Sequence, residues 1–195
     1  MSLRSESRAR RPIDRARRAG VVAATRDWLE KAVIGLQLCP FAAAPYRGER
    51  IRYRVSEQRS VDGLAGELRR ELRHLHAADA SRCETSLLIH PYVLNDFGDY
   101  NRFLSEAEAA VFALGLEGEL QIASFHPDYQ FAGSSPNDVE NYTNRSPYPM
   151  LHLLREASVT QAVATFPQAS EIGDRNMARL RDLGESGWRE LWTRS

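Results

Sequence analysis

Apolar residues along the chain recur at two spacings, and the switches between them mark out the elements. Val21, Thr25, Trp28, Leu29, Ala32, Val33 and Leu36 recur at three and four, which predicts an amphipathic helix over 21–38. Cys39-Pro40 ends it, because Pro40 restricts the residue before it and cannot continue the ladder. A Pro/Gly linker is expected over 42–50. Ile51, Tyr53 and Val55 then alternate with Arg52 and Arg54, the pattern of a strand with one wet face. Leu64, Leu68, Leu72 and Leu75 place a helix over 61–76. Leu87-Leu88-Ile89 is a continuous apolar run, as in a strand buried on both faces. Asn95 or Asp96 can cap a third helix, which runs to Leu114 and is stopped by Gly115. A third strand follows over 119–125.

Beyond residue 145, Ser146-Pro147 has the form of an N-cap followed by proline at the first helical position. It predicts a helix to about Glu156. Shorter helices are expected over 159–165 and 175–183, the latter stopped by Gly184, with Trp188, Leu191 and Trp192 docking as a final turn. Strands separated by helical crossovers imply parallel pairing. The expected fold is therefore α/β: a small, mainly parallel sheet of three or four strands covered by helices, with a helical C-terminal region. The expected division is a disordered Arg-rich tail over 1–19 and a single α/β domain over 20–195.

Charge changes the picture in one place. Net charge is zero, but residues 1–20 carry seven Arg against Glu6 and Asp14, so the rest of the chain is acidic. That balance argues against a nucleic-acid partner. No apolar run reaches membrane-spanning length or has the form of an export signal. Lys31 is the only lysine, a bias that fits GC-rich bacterial coding. The expected location is cytoplasmic, where Cys39 and Cys83 stay reduced.

The segment Ser124–Met150 breaks both spacings and is dense in groups able to do chemistry. Loops of this length in a compact domain are usually functional, and Phe125, Tyr129, Phe131, Tyr142 and Tyr148 give this one apolar area to pack. Two strands end in the same dipeptide, His90-Pro91 and His126-Pro127. Parallel strands would bring both histidines to the carboxyl edge of the sheet, where open α/β folds place ligands. The candidate catalytic residues are His126 as general acid or base, Asp128 or Glu140 to orient it, and Cys39 as a nucleophile if a histidine lies beside it. Arg145, Asn144 and Asn141, at the amino end of the expected helix, together with His90, are the candidate ligand-binding groups for a small anionic molecule, a phosphate or carboxylate. No cofactor is specified; a divalent metal on His90, His126 and Asp128 is a variant, although their spacing matches no compact ligand motif. Against each stands a plainer reading: strand-end histidines held by hydrogen bonds, Cys39 as a small buried hydrophobe, and Arg145 as a staple for the loop.

Three stretches carry a family resemblance. They are Trp28 through Leu36 with Leu38-Cys39-Pro40-Phe41-Ala42, Leu120 through Gly133, and Tyr142 through Glu156. Together they resemble the family numbered 1415 among the domains of unknown function, over about residues 20–193. The resemblance implies a bacterial, cytosolic, single-domain protein and brings no activity or catalytic residues with it. Two functions therefore lead: a small-molecule enzyme at the carboxyl edge, or a non-catalytic module that binds a metabolite or protein through the 126–150 loop. A nucleic-acid role through the Arg-rich tail ranks last, since the rest of the chain is acidic. Oligomeric state is not specified.

Overall fold

The computed structural model describes residues 15–165 and 171–193. Most of the expected Arg-rich tail lies outside them. The first helix, α1, is already formed at Arg15 and runs to Trp28. It continues as a π-helical turn over Leu29–Ile34. Short helix α2 (Ala43–Arg47) occupies the stretch expected as linker. Then follow β1 (Ile51–Val55), α3 (Val61–Ala77), β2 (Thr85–Ile89), α4 (Phe97–Ala113) and β3 (Leu120–Phe125). After the long loop come β4 (Met150–Arg155), α5 (Glu156–Thr165) and α6 (Ile172–Glu190).

The helix starts are capped as their sequences dictate. Ser60 accepts from the Gly63 N–H at the start of α3, and Asp96 accepts from the Asp99 N–H at the start of α4, each satisfying a donor that the helix leaves unpaired. At Gly184 the backbone turns to φ 66°. The helical path breaks there and then resumes, so glycine does interrupt this helix, as expected.

The sheet corrects two expectations. Its order is β1-β2-β4-β3. Only β1 and β2 pair in parallel; β4 runs antiparallel to both of its neighbours, β2 and β3. The sheet is mixed and mostly antiparallel, not mainly parallel. The segment after Ser146-Pro147 is a strand rather than a helix. Met150, Leu151 and Leu153 have no exposed surface, and a run apolar on both sides, like that of β2, suits the centre of a sheet. A short apolar run carries no period that separates buried strand from buried helix, and tertiary pairing decides. The Ser146 hydroxyl donates to the Tyr148 carbonyl at 2.7 Å and caps nothing.

Strand alternation sorts the side chains into two layers. One face carries Leu88, Leu120, Leu151 and Leu153 and packs on α3 and α4 through Leu64, Leu68, Tyr100 and Phe103. On that same face Arg52 and Arg54 of β1 meet the buried Glu71 and Glu67 of α3, and Ser56 and Ser86 donate to those carboxylates at 2.5 and 3.1 Å. The wet face of β1 is thus an arginine–glutamate ladder against a helix. The other face carries Val55, Leu87, Ile89 and Met150 and packs on α1 and its π turn through Val21, Trp28, Leu29 and Val33. That cover is partial. α1 lies over the half of the sheet where β1, β2 and β3 end; over the half where they begin, the sheet is open to a cavity.

Candidate functional site

Two regions hold the groups singled out in the sequence. The first is the carboxyl edge. Both Ile89 and Phe125 stand opposite Met150 in the register, so β2 and β3 run the same way and end at one level. His90 and His126 therefore do arrive at the same edge, although the strand between theirs is antiparallel. They gather around Tyr100 of α4, with ring centroids 5.7 and 5.1 Å from it.

Each ring nitrogen there can be assigned. His90 Nδ1 lies 3.0 Å from the Val93 carbonyl, which can only accept, so Nδ1 carries the proton. Its Nε2 is then a buried lone pair without a hydrogen-bond partner. His126 Nδ1 accepts from the Asp128 N–H at 3.0 Å, and its Nε2 donates to the Leu94 carbonyl at 3.2 Å. Leu94 sits at φ 57°, a left-handed conformation costly for a branched residue. Burial pushes the pKa of His90 down to about 4 and that of His126 down as well. Both are neutral imidazoles with no exposed surface.

The loop groups are turned to the loop itself. The Asn141 side chain, fully buried, accepts from the Phe131 N–H and the Ser134 hydroxyl at 3.0 and 2.8 Å and donates to the Ser135 carbonyl at 2.8 Å. Asn144 Nδ2 donates to the Ser124 carbonyl at 3.1 Å. Arg145 spans the carbonyls of Tyr129 and Pro136 at 3.2 and 2.6 Å and lies over the Tyr142 ring. No helix begins at Ser146, so the helix dipole that made Arg145 an anion site is missing. Glu140 pairs with Arg181 of α6 at 2.5 Å; its own main-chain N–H first, and then Arg181, hold its carboxyl below the usual range. The stacking of Tyr142 on Trp188 at 4.8 Å fixes the same loop to α6. Among the described residues no group of three or more His, Cys, Asp or Glu is arranged to hold a metal, and on His126 both nitrogens are already engaged.

The second region is the open half of the sheet, a cavity of about 580 Å³. Its floor is Ile51, Leu87, Ala123 and Leu154 with His152. One wall is Trp28, Leu29 and Val33, where the π turn widens the helix, and continues through Cys39, Pro40 and Phe41. The opposite wall is α5, through Ser158, Val159 and Ala162. Arg50 and Glu84, paired at 2.6 Å, stand at its edge. A π turn inside a helix often accompanies a functional site. This one is fastened from outside: Asn176 donates to the Leu38 carbonyl at 2.8 Å, and Arg179 donates to that of Leu36, so α6 satisfies carbonyls that the helix end leaves open.

Cys39 therefore lies on the α1 face with His152, not with His90 and His126, which pack on α4. Burial raises its thiol pKa against the opposing pull of the Phe41 and Ala42 N–H groups, so it is protonated at neutral pH. His152 is the residue the sequence reading missed. As a helical residue it had no defined facing; as the third residue of β4 it shares a face with Met150 and Leu154 and lines the cavity with Leu154. Burial pushes its pKa down to about 4. The signal available was slight: one polar group, His152, inside the otherwise apolar run Met150-Leu151-His152-Leu153-Leu154.

The family model described as "Protein of unknown function (DUF1415)" matches residues 20–190. No curated protein and no solved structure matches the chain.

Proposed function

We propose that this chain, which belongs to the DUF1415 family, binds a small, mainly apolar molecule in the cavity on the α1 face of its sheet. The observation that carries the reading is the cavity itself: about 580 Å³ over a sheet floor of aliphatic side chains. Packed interiors hold few voids larger than a water molecule. Ligand sites are apolar concavities of roughly 300–1,000 Å³ with a few placed polar groups, here His152, Cys39 and the Arg50–Glu84 pair. The 126–150 loop serves as the scaffold that closes the carboxyl edge.

The competing reading is an enzyme that holds an anionic substrate on Arg145 and Asn144 and uses His126 as acid or base. It requires His126 to give up its Leu94 or Asp128 bond before it can exchange a proton, and Arg145 to release two carbonyls. The cavity asks for no such rearrangement.

Thermal unfolding with 4-propylphenol, naphthalene and indole as probes tests the proposal. A ligand that binds only the folded state stabilises it by about 2.7 kcal/mol at a hundred times its Kd. Ala123→Phe, which places a ring on the cavity floor, should remove the shift while leaving the unliganded melting temperature unchanged or higher. No shift with any probe, or a shift that survives Ala123→Phe, overturns the reading.

A further inference from the structure

We infer that the cavity selects molecules that donate a hydrogen bond, alcohols or phenols on an apolar body, and that the acceptor is Nδ1 of His152. This rests on the proposal that the cavity holds a small molecule, and it names the class.

The argument starts at Thr85. Its hydroxyl lies 2.6 Å from the Leu153 carbonyl and 2.7 Å from His152 Nε2. A carbonyl only accepts, so the single hydroxyl proton goes to Leu153. Nε2 must then be the donor to Thr85. That fixes the tautomer: Nε2 carries the proton and Nδ1 a lone pair. Among the described residues Nδ1 has no hydrogen-bond partner. The ring stays neutral at physiological pH, since burial holds its pKa near 4, so Nδ1 presents a lone pair and not a charge.

Geometry leaves room at this position. His152 stands opposite Ala123 in the register, and that small side chain leaves the flank of the ring open to the cavity. An anion finds little to hold it here. The charge of Arg50 is engaged by Glu84. Arg155 lies at the edge of the cavity as well, but its Nη2 is taken up by the carbonyls of Leu75, Ala78 and Cys83 and its Nε is buried. A carboxylate would be desolvated beside cations already engaged by Glu84 and by main-chain carbonyls, and would meet the lone pair of Nδ1. A hydroxyl would satisfy both itself and the histidine.

Three probes of one shape separate the outcomes: 4-propylphenol, 4-propylanisole and 4-propylbenzoate, titrated against the full chain by calorimetry. The phenol should bind about tenfold more tightly than the anisole, the worth of one hydrogen bond, and the benzoate more weakly than either. His152→Leu should abolish the difference between phenol and anisole while keeping both bound. In the native protein the nitrogen resonance of His152 Nδ1 should move on adding the phenol and stay in place with the anisole. Equal binding of phenol and anisole overturns this inference and leaves the cavity reading standing. Tightest binding of the benzoate overturns it in favour of an anion. Failure of all three to bind overturns the cavity reading and this one with it.

Discussion

Tyr100 joins two strands through a single oxygen. Its ring is fully buried, and its hydroxyl donates to the Met150 carbonyl at 2.8 Å while accepting from the Phe125 N–H at 3.0 Å. Tyr100→Phe leaves both main-chain groups buried without that partner, a loss of about 1–3 kcal/mol, to be read as a lower urea midpoint at unchanged slope. His90 and His152 make the fold sensitive to acid. Each has a folded pKa near 4 against an ordinary value of 6.5, so the unfolded chain takes up protons first. Stability is therefore flat above pH 6.5 and falls between there and pH 4, with a slope of up to about 1.4 kcal/mol per pH unit for each histidine. His90→Asn and His152→Asn should each flatten the profile in that window. At this scale the sequence was half legible. The repeated His-Pro at two strand ends placed His90 and His126 correctly, because both follow directly from strand direction. What they bond to was hidden, since the Val93 and Leu94 carbonyls are aimed by a turn in which Leu94 takes a left-handed conformation that its side chain does not favour.

Among the elements, α5 and β4 are consecutive in sequence and opposite in character. β4 pairs along both edges, whereas α5 has no buried residue among those described and packs chiefly on β4. Amide exchange should follow that contrast. The β4 amides should open only with global unfolding, and those of α5 should exchange far faster, because a helix without buried apolar contacts opens locally at little cost. Equal protection of the two would contradict this account. A probe bound in the cavity should slow α5 selectively, since α5 is one of its walls. The long helices α1, α3 and α4 and the strands β1 to β3 were readable because their apolar spacing is unambiguous over ten or more residues or is bounded by turn residues. The five-residue α2 was not, and neither was β4. Ser146-Pro147 imitates a helix start, and the next five residues suit either form. Misreading them removed one strand, supplied a dipole that Arg145 lacks, and left His152 without a face.

Across the whole molecule the two faces of the sheet divide the work. α3 and α4 cover one, with a core that includes Leu64, Leu72, Leu88 and Leu151 at zero exposure. α1 closes half of the other, and α6 secures the end of α1 through Asn176 and Arg179. The chemistry suggested by the loop lies at one end of this arrangement and the cavity at the other, so the density of polar residues pointed away from the cavity. Apolar lining leaves no motif, and this is why the candidate site was the least legible part of the chain.

The central position of β4 also bears on how the chain is made. Among the described residues β3 pairs with β4 alone, and β2 has only β1 until β4 arrives. As the chain grows on the ribosome, every residue up to Pro149 can be complete while the sheet remains a parallel pair plus a strand with no neighbour. The last strand synthesised is the one that unites the others. The nascent protein therefore carries an unpaired apolar edge from the completion of β2 until β4 is made, the kind of exposure that recruits chaperones. A chain released at residue 149 should be captured by them or aggregate, whereas one released after β4 has what it needs to close the sheet.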